Sequence, residues 1–399
     1  FGRLELALIA FLPMAVSWIW ILGIMQIFGM QFNIVNIILA TFIFGQGDDY
    51  TIFMVDGLIN EYAHKKKLLP SYKNSIIISA LIMFIGMGSL IVAKHPAMHS
   101  LAEVTIVGMF TVVLMAWMLP PIIFRWMTTN NGMERHVPIT IEQIVRTSYC
   151  ALVYLAELPF GIILCAVAYI TRSKKMEAFA HRAINACMRF NVHHVWGVES
   201  IFSNPYDEQF TKSSIIVSNH QSMLDPIWLL ALHPKVVVIV GKKVWRNPLV
   251  HFMLKLSRCY TTDRTINEIR EYVKKTTADG YNIVFFPESG RYCDNTLHRF
   301  HTGAFMLAQE LAVDILQISI HGTGHVMPKH SGLACKGQIT IEVGQRITPR
   351  MLTKYGDTYQ KVTHNVQRMM SDHYQEMRQE IEDTHYFRHY VKYKTIYTN

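Results

Sequence analysis

Leu6–Met30 is a run of 25 residues without a charge. As a helix rising 1.5 Å per residue it exceeds the roughly 30 Å hydrocarbon core of a bilayer. Ile34–Ile59, Ser75–Ala93 and Val104–Phe124 are three further apolar runs. Backbone polar groups in lipid must be satisfied internally, so these runs predict four transmembrane helices within residues 1–128. The chain is 51% hydrophobic and only 17% charged, which fits membrane segments plus one soluble domain. Basic residues give the orientation. Arg3 precedes the first run, Lys65, Lys66, Lys67 and Lys73 separate the second and third, and Arg125, Arg135 and Arg146 follow the fourth. These loops belong on the cytoplasmic side, so the chain returns there after four crossings.

The second run is broken by Gly45-Gln46-Gly47-Asp48-Asp49-Tyr50, with Asp56 nearer its end. Carboxylates at such depth are costly, which points either to a proton relay or to a shorter span with the acids at an interface. Gly45-x-Gly47-x-Asp49-Tyr50 resembles a segment of the resistance-nodulation-division transporters, above all the lipid-exporting, MMPL-type branch. The resemblance implies that the four spans stand for the last four of twelve. It makes Asp49 and Tyr50 a candidate proton relay and implies the other transporter half elsewhere on a longer chain. Asp48 departs from the family, which has an apolar residue there.

Residues 129–147 read as a polar linker, and 148–194 as a membrane-associated hairpin plus an amphipathic helix. Pro159 divides Ser148–Ile170 into pieces too short to span, so a re-entrant or in-plane hairpin is expected there. Arg172–Phe190 carries Lys174, Lys175, Arg182 and Arg189 and reads as an interfacial helix on anionic lipid. From Val195 short apolar strands alternate with helical patterns. Ser214–Val217, Val236–Val240, Ile283–Phe286, Ile315–Ile320 and Gln338–Val343 are the strands. That alternation predicts an α/β domain with a mixed sheet flanked by helices over 195–347, followed by a helical tail over 348–399.

Ser218-Asn219-His220-Gln221-Ser222-Met223-Leu224-Asp225-Pro226 leads from the first of these strands into a helix, with Asp225 expected at the N-cap. A loop bending into a helix lets Asp225 turn towards His220, fix its tautomer and stabilise the charge it gains with a proton. That makes a general base for a hydroxyl. With no Gly-x-Ser-x-Gly nearby, the attacking oxygen comes from a substrate. This stretch resembles the His-x4-Asp motif of the glycerolipid acyltransferases, the 1-acylglycerol-3-phosphate acyltransferases and their relatives. Two downstream segments fit the same family in order. Cys259-Tyr260-Thr261-Thr262-Asp263-Arg264 resembles the second motif, with Arg258 in place of its Gly. Phe286-Pro287-Glu288-Ser289-Gly290-Arg291 resembles the third, with Ser289-Gly290 where the family has Gly-Thr. The fourth is represented by Gly322 and Thr323, with Gln317 replacing a Pro. The resemblance implies His220 and Asp225 as catalytic, and Arg264, Glu288, Ser289, Gly290 and Arg291 as substrate-binding. Lys242 and Lys243 are further candidate phosphate contacts.

The net charge of +9 suits an anionic membrane surface or a phosphorylated substrate, and no nucleic-acid motif accompanies it. The six cysteines form no Cys-x-x-Cys pair, which argues against a zinc site and for a reducing compartment. His298, His301, His321 and His325 read as polar surface histidines rather than metal ligands. The expectation is a multi-pass protein of the inner (cytoplasmic) membrane with its acyltransferase domain on the cytoplasmic face. It would move an acyl chain from acyl-CoA or acyl carrier protein to 1-acylglycerol 3-phosphate, with no metal or redox cofactor. Membrane lipids and the acyl donor are its expected partners. The competing reading is a lipid-exporter fragment whose cytoplasmic domain acylates another acceptor or only binds lipid.

Overall fold

The structure, a computed structural model, describes residues 3–31, 33–130, 132–135, 137–288, 290–292, 294–329, 331–383 and Tyr386. The described residues divide into two compact units, one running up to Ile141 and one from Glu142 onward.

The first unit begins with α1 (Leu4–Ile27), α2 (Ile34–His64), α3 (Leu69–Gly88) and α4 (Pro96–Thr128). A short antiparallel ladder of β1 (Thr129–Asn130) and β2 (Met133–Glu134) follows within the expected linker. Close helix approach explains Gly47 of α2, where a Cβ would meet the sulfur of Met14 at 2.4 Å and Val112 at 2.7 Å. Asp49 is exposed on this unit and Tyr50 is buried, because successive helical residues point about 100° apart. The Tyr50 hydroxyl meets Ser79 of α3 at 3.1 Å. Among the described residues, the helices long and apolar enough to cross a membrane are Leu4–Ile27, Leu69–Val92, Pro96–Thr128 and Ile141–Thr171. The first three of these overlap three of the four expected spans, and α2, which carries Asp48, Asp49, Asp56 and Glu61, is not among them.

In the second unit α5 (Ile141–Thr171) is one unbroken helix. The expected hairpin at Pro159 does not form. The turn falls instead at Arg172, whose φ of 51° ends α5 in the left-handed region, and α6 (Lys174–His194) runs back along α5. Cys165 and Ala168 pack with Ala180, and Asn191 donates to the Glu157 carboxylate at 2.6 Å.

Thereafter come β3 (Val198–Ser203), β4 (Ser214–Ser218), α7 (Asp225–Leu232), β5 (Val236–Val240), α8 (Lys242–Trp245), α9 (Pro248–Leu256), β6 (Tyr260–Thr261), α10 (Ile266–Ala278) and β7 (Asn282–Phe285). The chain continues through α11 (Gly303–Glu310), β8 (Asp314–His321), α12 (Thr323–Val326), β9 (Gly337–Ile347), α13 (Pro349–Tyr355) and α14 (Tyr359–Ile381). The sheet order is β3-β9-β8-β4-β7-β5-β6, parallel except where β9 runs against β8. Alternate residues of each central strand serve opposite layers. Ile215 and Val217 pack with Val273, Phe305, Val362 and Val366 on one face. Ile216, Val238 and Val284 pack with Trp228 and Leu229 on the other. Burial on both faces is why these strands read as continuous apolar runs. Through Val362, Val366 and Met370, α14 is part of this core rather than a separate tail.

The parallel strands β8, β4, β7 and β5 place the loops after them on one edge of the sheet. The loop after β4 is therefore flanked by those after β7 and β8. Tight backbone packing closes that edge at Gly322, with φ of 94° and a Cβ position 2.0 Å from the Gln338 carbonyl oxygen. Gly322→Ala should destabilise the second unit by about 2–4 kcal/mol, since neither partner is a flexible side chain. Thermal unfolding of the detergent-solubilised variant checks this.

Candidate active site

Asn219 fixes the start of the loop after β4. Its side chain accepts from the Ile320 N–H and donates to the Ile320 carbonyl, both at 2.8 Å, so it extends the β4–β8 pairing by one residue. His220 follows, with its ring stacked on Phe286 at 4.2 Å. Its Nδ1 lies 2.7 Å from Asp225 Oδ2.

Asp225 is not the N-cap expected of it. Leu224 occupies that position, and the Asp225 carboxylate turns back into the loop. Oδ2 accepts from the backbone N–H of Gln221 at 2.7 Å and of Ser222 at 2.9 Å, besides facing His220. Oδ1 accepts from the Thr323 hydroxyl at 2.5 Å. The carboxylate is 0% exposed, whereas the His220 side chain is 20% exposed. A carboxylate accepts only, so Nδ1 carries the hydrogen in this contact and Nε2 is the basic nitrogen. Among the described residues no protein group is hydrogen-bonded to that Nε2.

The loop after β7 brings Glu288 beside this pair. Glu288 is buried, and its Oε1 has no hydrogen-bond partner. Burial, then the nearby Asp225 and Asp294 carboxylates, push its acid up to about 8, against the opposing pull of the His220 backbone N–H. Two carboxylates therefore share the site, with Glu288 protonated at neutral pH. Arg291 is half-buried, and no ion pair holds it among the described residues. Ser289 lies outside the described residues. Gly290 lies against the Tyr292 ring.

The second motif sits farther along the same edge. Arg264 is half-exposed and makes only a 3.7 Å contact with Glu268. Lys242 is paired with Asp263 at 3.1 Å, as is Arg246 at 3.2 Å, while Lys243 is exposed. Arg258 keeps the backbone that a glycine would take, with φ of 59°. Its guanidinium is held by Glu177 of α6 and by Asp279 at 2.6 Å, over the Tyr281 ring at 5.0 Å. The substitution thus turns a glycine turn into a clamp on α6.

Three contributions were not anticipated from sequence. Asn219 aligns the loop, Thr323 bonds the Asp225 carboxylate, and Gln221 donates to Tyr374 of α14 at 2.6 Å. Thr323 stands in the fourth motif but acts on Asp225. His321 is fully buried, contrary to its reading as a surface histidine. Among the described residues, no group of three or more His, Cys, Asp or Glu is placed to hold a metal ion.

Two stretches of the chain match known families. The Acyltransferase family matches residues 199–321, and the MMPL family matches residues 6–131. A chloroplastic 1-acyl-sn-glycerol-3-phosphate acyltransferase of Brassica napus is 30% identical over 142 residues, 33% of this chain and 40% of the relative. The corresponding protein of Saccharomyces cerevisiae is 28% identical over 171 residues, 40% of this chain and 53% of its own length. The chain thus spans about half or less of these curated relatives. The crystal structure of the 1-acyl-sn-glycerophosphate acyltransferase from Thermotoga maritima shares the fold. Its TM-score is 0.52 at 18% identity, covering 60% of this chain and 97% of that one.

Glu288 gives a pH signature. Its folded acid is held above the ordinary value of 4.5, so the stabilisation it contributes is complete below that value and is lost as pH rises towards about 8. Glu288→Gln should therefore gain in melting temperature relative to wild type as pH rises from 4.5 to 8; a constant gap would contradict the buried acid. Residues 199–321 are thus similar to the Acyltransferase family, and the N-terminal residues 6–131 to the MMPL family.

Proposed function

We propose that the second unit transfers an acyl chain from an acyl thioester to the free hydroxyl of 1-acylglycerol 3-phosphate. The observation that carries this is the buried Asp225 holding His220 at 2.7 Å while Nε2 stays open to a substrate. Nε2 takes the acceptor's hydroxyl proton as its oxygen bonds to the thioester carbon. The carbon–sulfur bond then breaks, and the leaving thiolate takes the proton from His220. Asp225 stabilises the imidazolium between these steps. No protein nucleophile is needed, because the Ser222 hydroxyl is committed to the Met327 carbonyl at 2.9 Å.

Arg291 is the group best suited to the acceptor's phosphate, since a guanidinium binds phosphate in a fork and keeps its charge. Glu288, a neutral acid beside it in sequence, can donate to a glycerol oxygen. Arg264 and Lys243 offer additional positive charge, while Lys242 is already neutralised by Asp263. Either acyl-CoA or acyl carrier protein fits as donor. His220→Ala should lower turnover by about 10²–10⁴-fold with the acceptor's affinity retained. Near-normal turnover by a folded variant, read as labelled phosphatidate, would exclude the mechanism.

The MMPL match to residues 6–131 supports a second reading, in which acyl transfer is coupled to a lipid-exporting chain. In that reading Asp49 and Tyr50 belong to a proton relay completed by another transporter half. Both readings place the chain in the cytoplasmic membrane, with the second unit in the cytoplasm where acyl thioesters are made. Asp357, whose side chain is 90% exposed between α13 and α14, offers a test. Asp357→Cys in a cysteine-free background should react with a membrane-impermeant maleimide only after the cells are opened. Labelling of intact cells would place the site in the wrong compartment for its donor.

A further inference from the structure

Tyr374 lies on α14, beyond the matched acyltransferase region, yet it reaches the residue next to His220. Its side chain is fully buried. The hydroxyl is 2.6 Å from Gln221 Nε2 and 2.9 Å from His321 Nδ1. The opposite ring nitrogen of His321 faces Glu382 at 3.4 Å and the Tyr386 hydroxyl at 2.8 Å.

Arg378 holds Glu382 in a two-pronged ion pair, each arm 2.9 Å. His321 is anchored against that pair through Nε2. Burial, then His325 and Arg378, keep this ring neutral by pushing its pKa down to about 3. The Gln221 amide donates to the Tyr374 oxygen, and the same hydroxyl is bonded to His321 Nδ1. The same Gln221 donates its backbone N–H to Asp225 at 2.7 Å.

We infer that Tyr374 is a positioning residue for acyl transfer, holding the His220–Asp225 loop through Gln221 in an orientation set by His321 and the Arg378–Glu382 pair of the C-terminal helix. This rests on the acyl-transfer reading. It makes α14 part of the active site's support, not only of the core.

The test uses the full chain in detergent with Tyr374→Phe, Gln221→Met and the double variant. Turnover, acceptor KM and hydrogen–deuterium exchange of the backbone over residues 218–224 are measured. Tyr374→Phe should lower kcat about tenfold, the scale of one broken buried hydrogen bond, with acceptor KM within about twofold of wild type. Exchange in the loop should rise. Gln221→Met should match it, and the double variant should lose no more than either single variant, because both break one contact. An active wild type with unchanged kcat and loop exchange in Tyr374→Phe would overturn the inference, as would losses that multiply in the double variant. If Tyr374→Phe does not fold, Gln221→Met decides by the same readouts. A wild type without acyl transfer would sink the proposed function instead, while loop exchange would still judge the Tyr374 contact.

Discussion

The Asp225 carboxylate takes hydrogen bonds from a ring, two backbone amides and a hydroxyl, all without contact with water. A buried charge is tolerated only where enough donors replace its hydration. Here the donors come from two places. The loop after β4 supplies His220, Gln221 and Ser222, and the turn after β8 supplies Thr323. The pairing of β4 with β8 brings those loops together, and Asn219 locks their alignment. The active-site geometry thus depends on strand register. A slip of one residue would carry the donors away from a charge that cannot remain buried alone.

Glu288 occupies the same edge with the opposite electrostatic outcome. Asp225 is surrounded by donors, whereas Glu288 has one oxygen without a partner and a carboxylate neighbour. Burial and the neighbouring carboxylates push the Glu288 acid up to about 8. In the proposed reaction Asp225 backs the base His220 and Glu288 donates to the acceptor. Arg291, unpaired with any described carboxylate, supplies the positive charge. His220, Glu288 and Arg291 thus lie along the carboxyl ends of neighbouring parallel strands, the position where open α/β sheets bind ligands.

Much of this was readable in the sequence for physical reasons. Doubly buried strands such as Val236–Val240 are continuous β-branched runs, and His220 to Asp225 lies between such a strand and a proline-started helix. What sequence could not show was long-range pairing. Asp225 looked like a helix cap because Pro226 follows it, yet the loop's own amides were nearer than those of the helix. Pro159 looked like a break, but one missing amide did not interrupt a helix supported by α6. The left-handed turn at Arg172 carried no glycine to announce it. Thr323, Tyr374 and His321 each act on residues far away in the chain, and no local pattern marks such contacts. Arg258 is the opposite case. A residue that breaks the glycine pattern retains the glycine conformation, held by two carboxylates and a ring.

Residues 6–131 match the MMPL family and residues 199–321 the Acyltransferase family on one chain. The exposed Asp49 and the buried Tyr50 show that α2 presents two different faces, one of them away from its own unit. The central claim nonetheless concerns the second unit. It is tested most directly by incubating the purified chain with an isotope-labelled acyl thioester and a panel of lysolipids, with products identified by mass spectrometry. The account predicts labelled phosphatidate from 1-acylglycerol 3-phosphate and far less product from acceptors without a phosphate. Equal labelling of acceptors with and without phosphate, or no transfer to any of them, would contradict it.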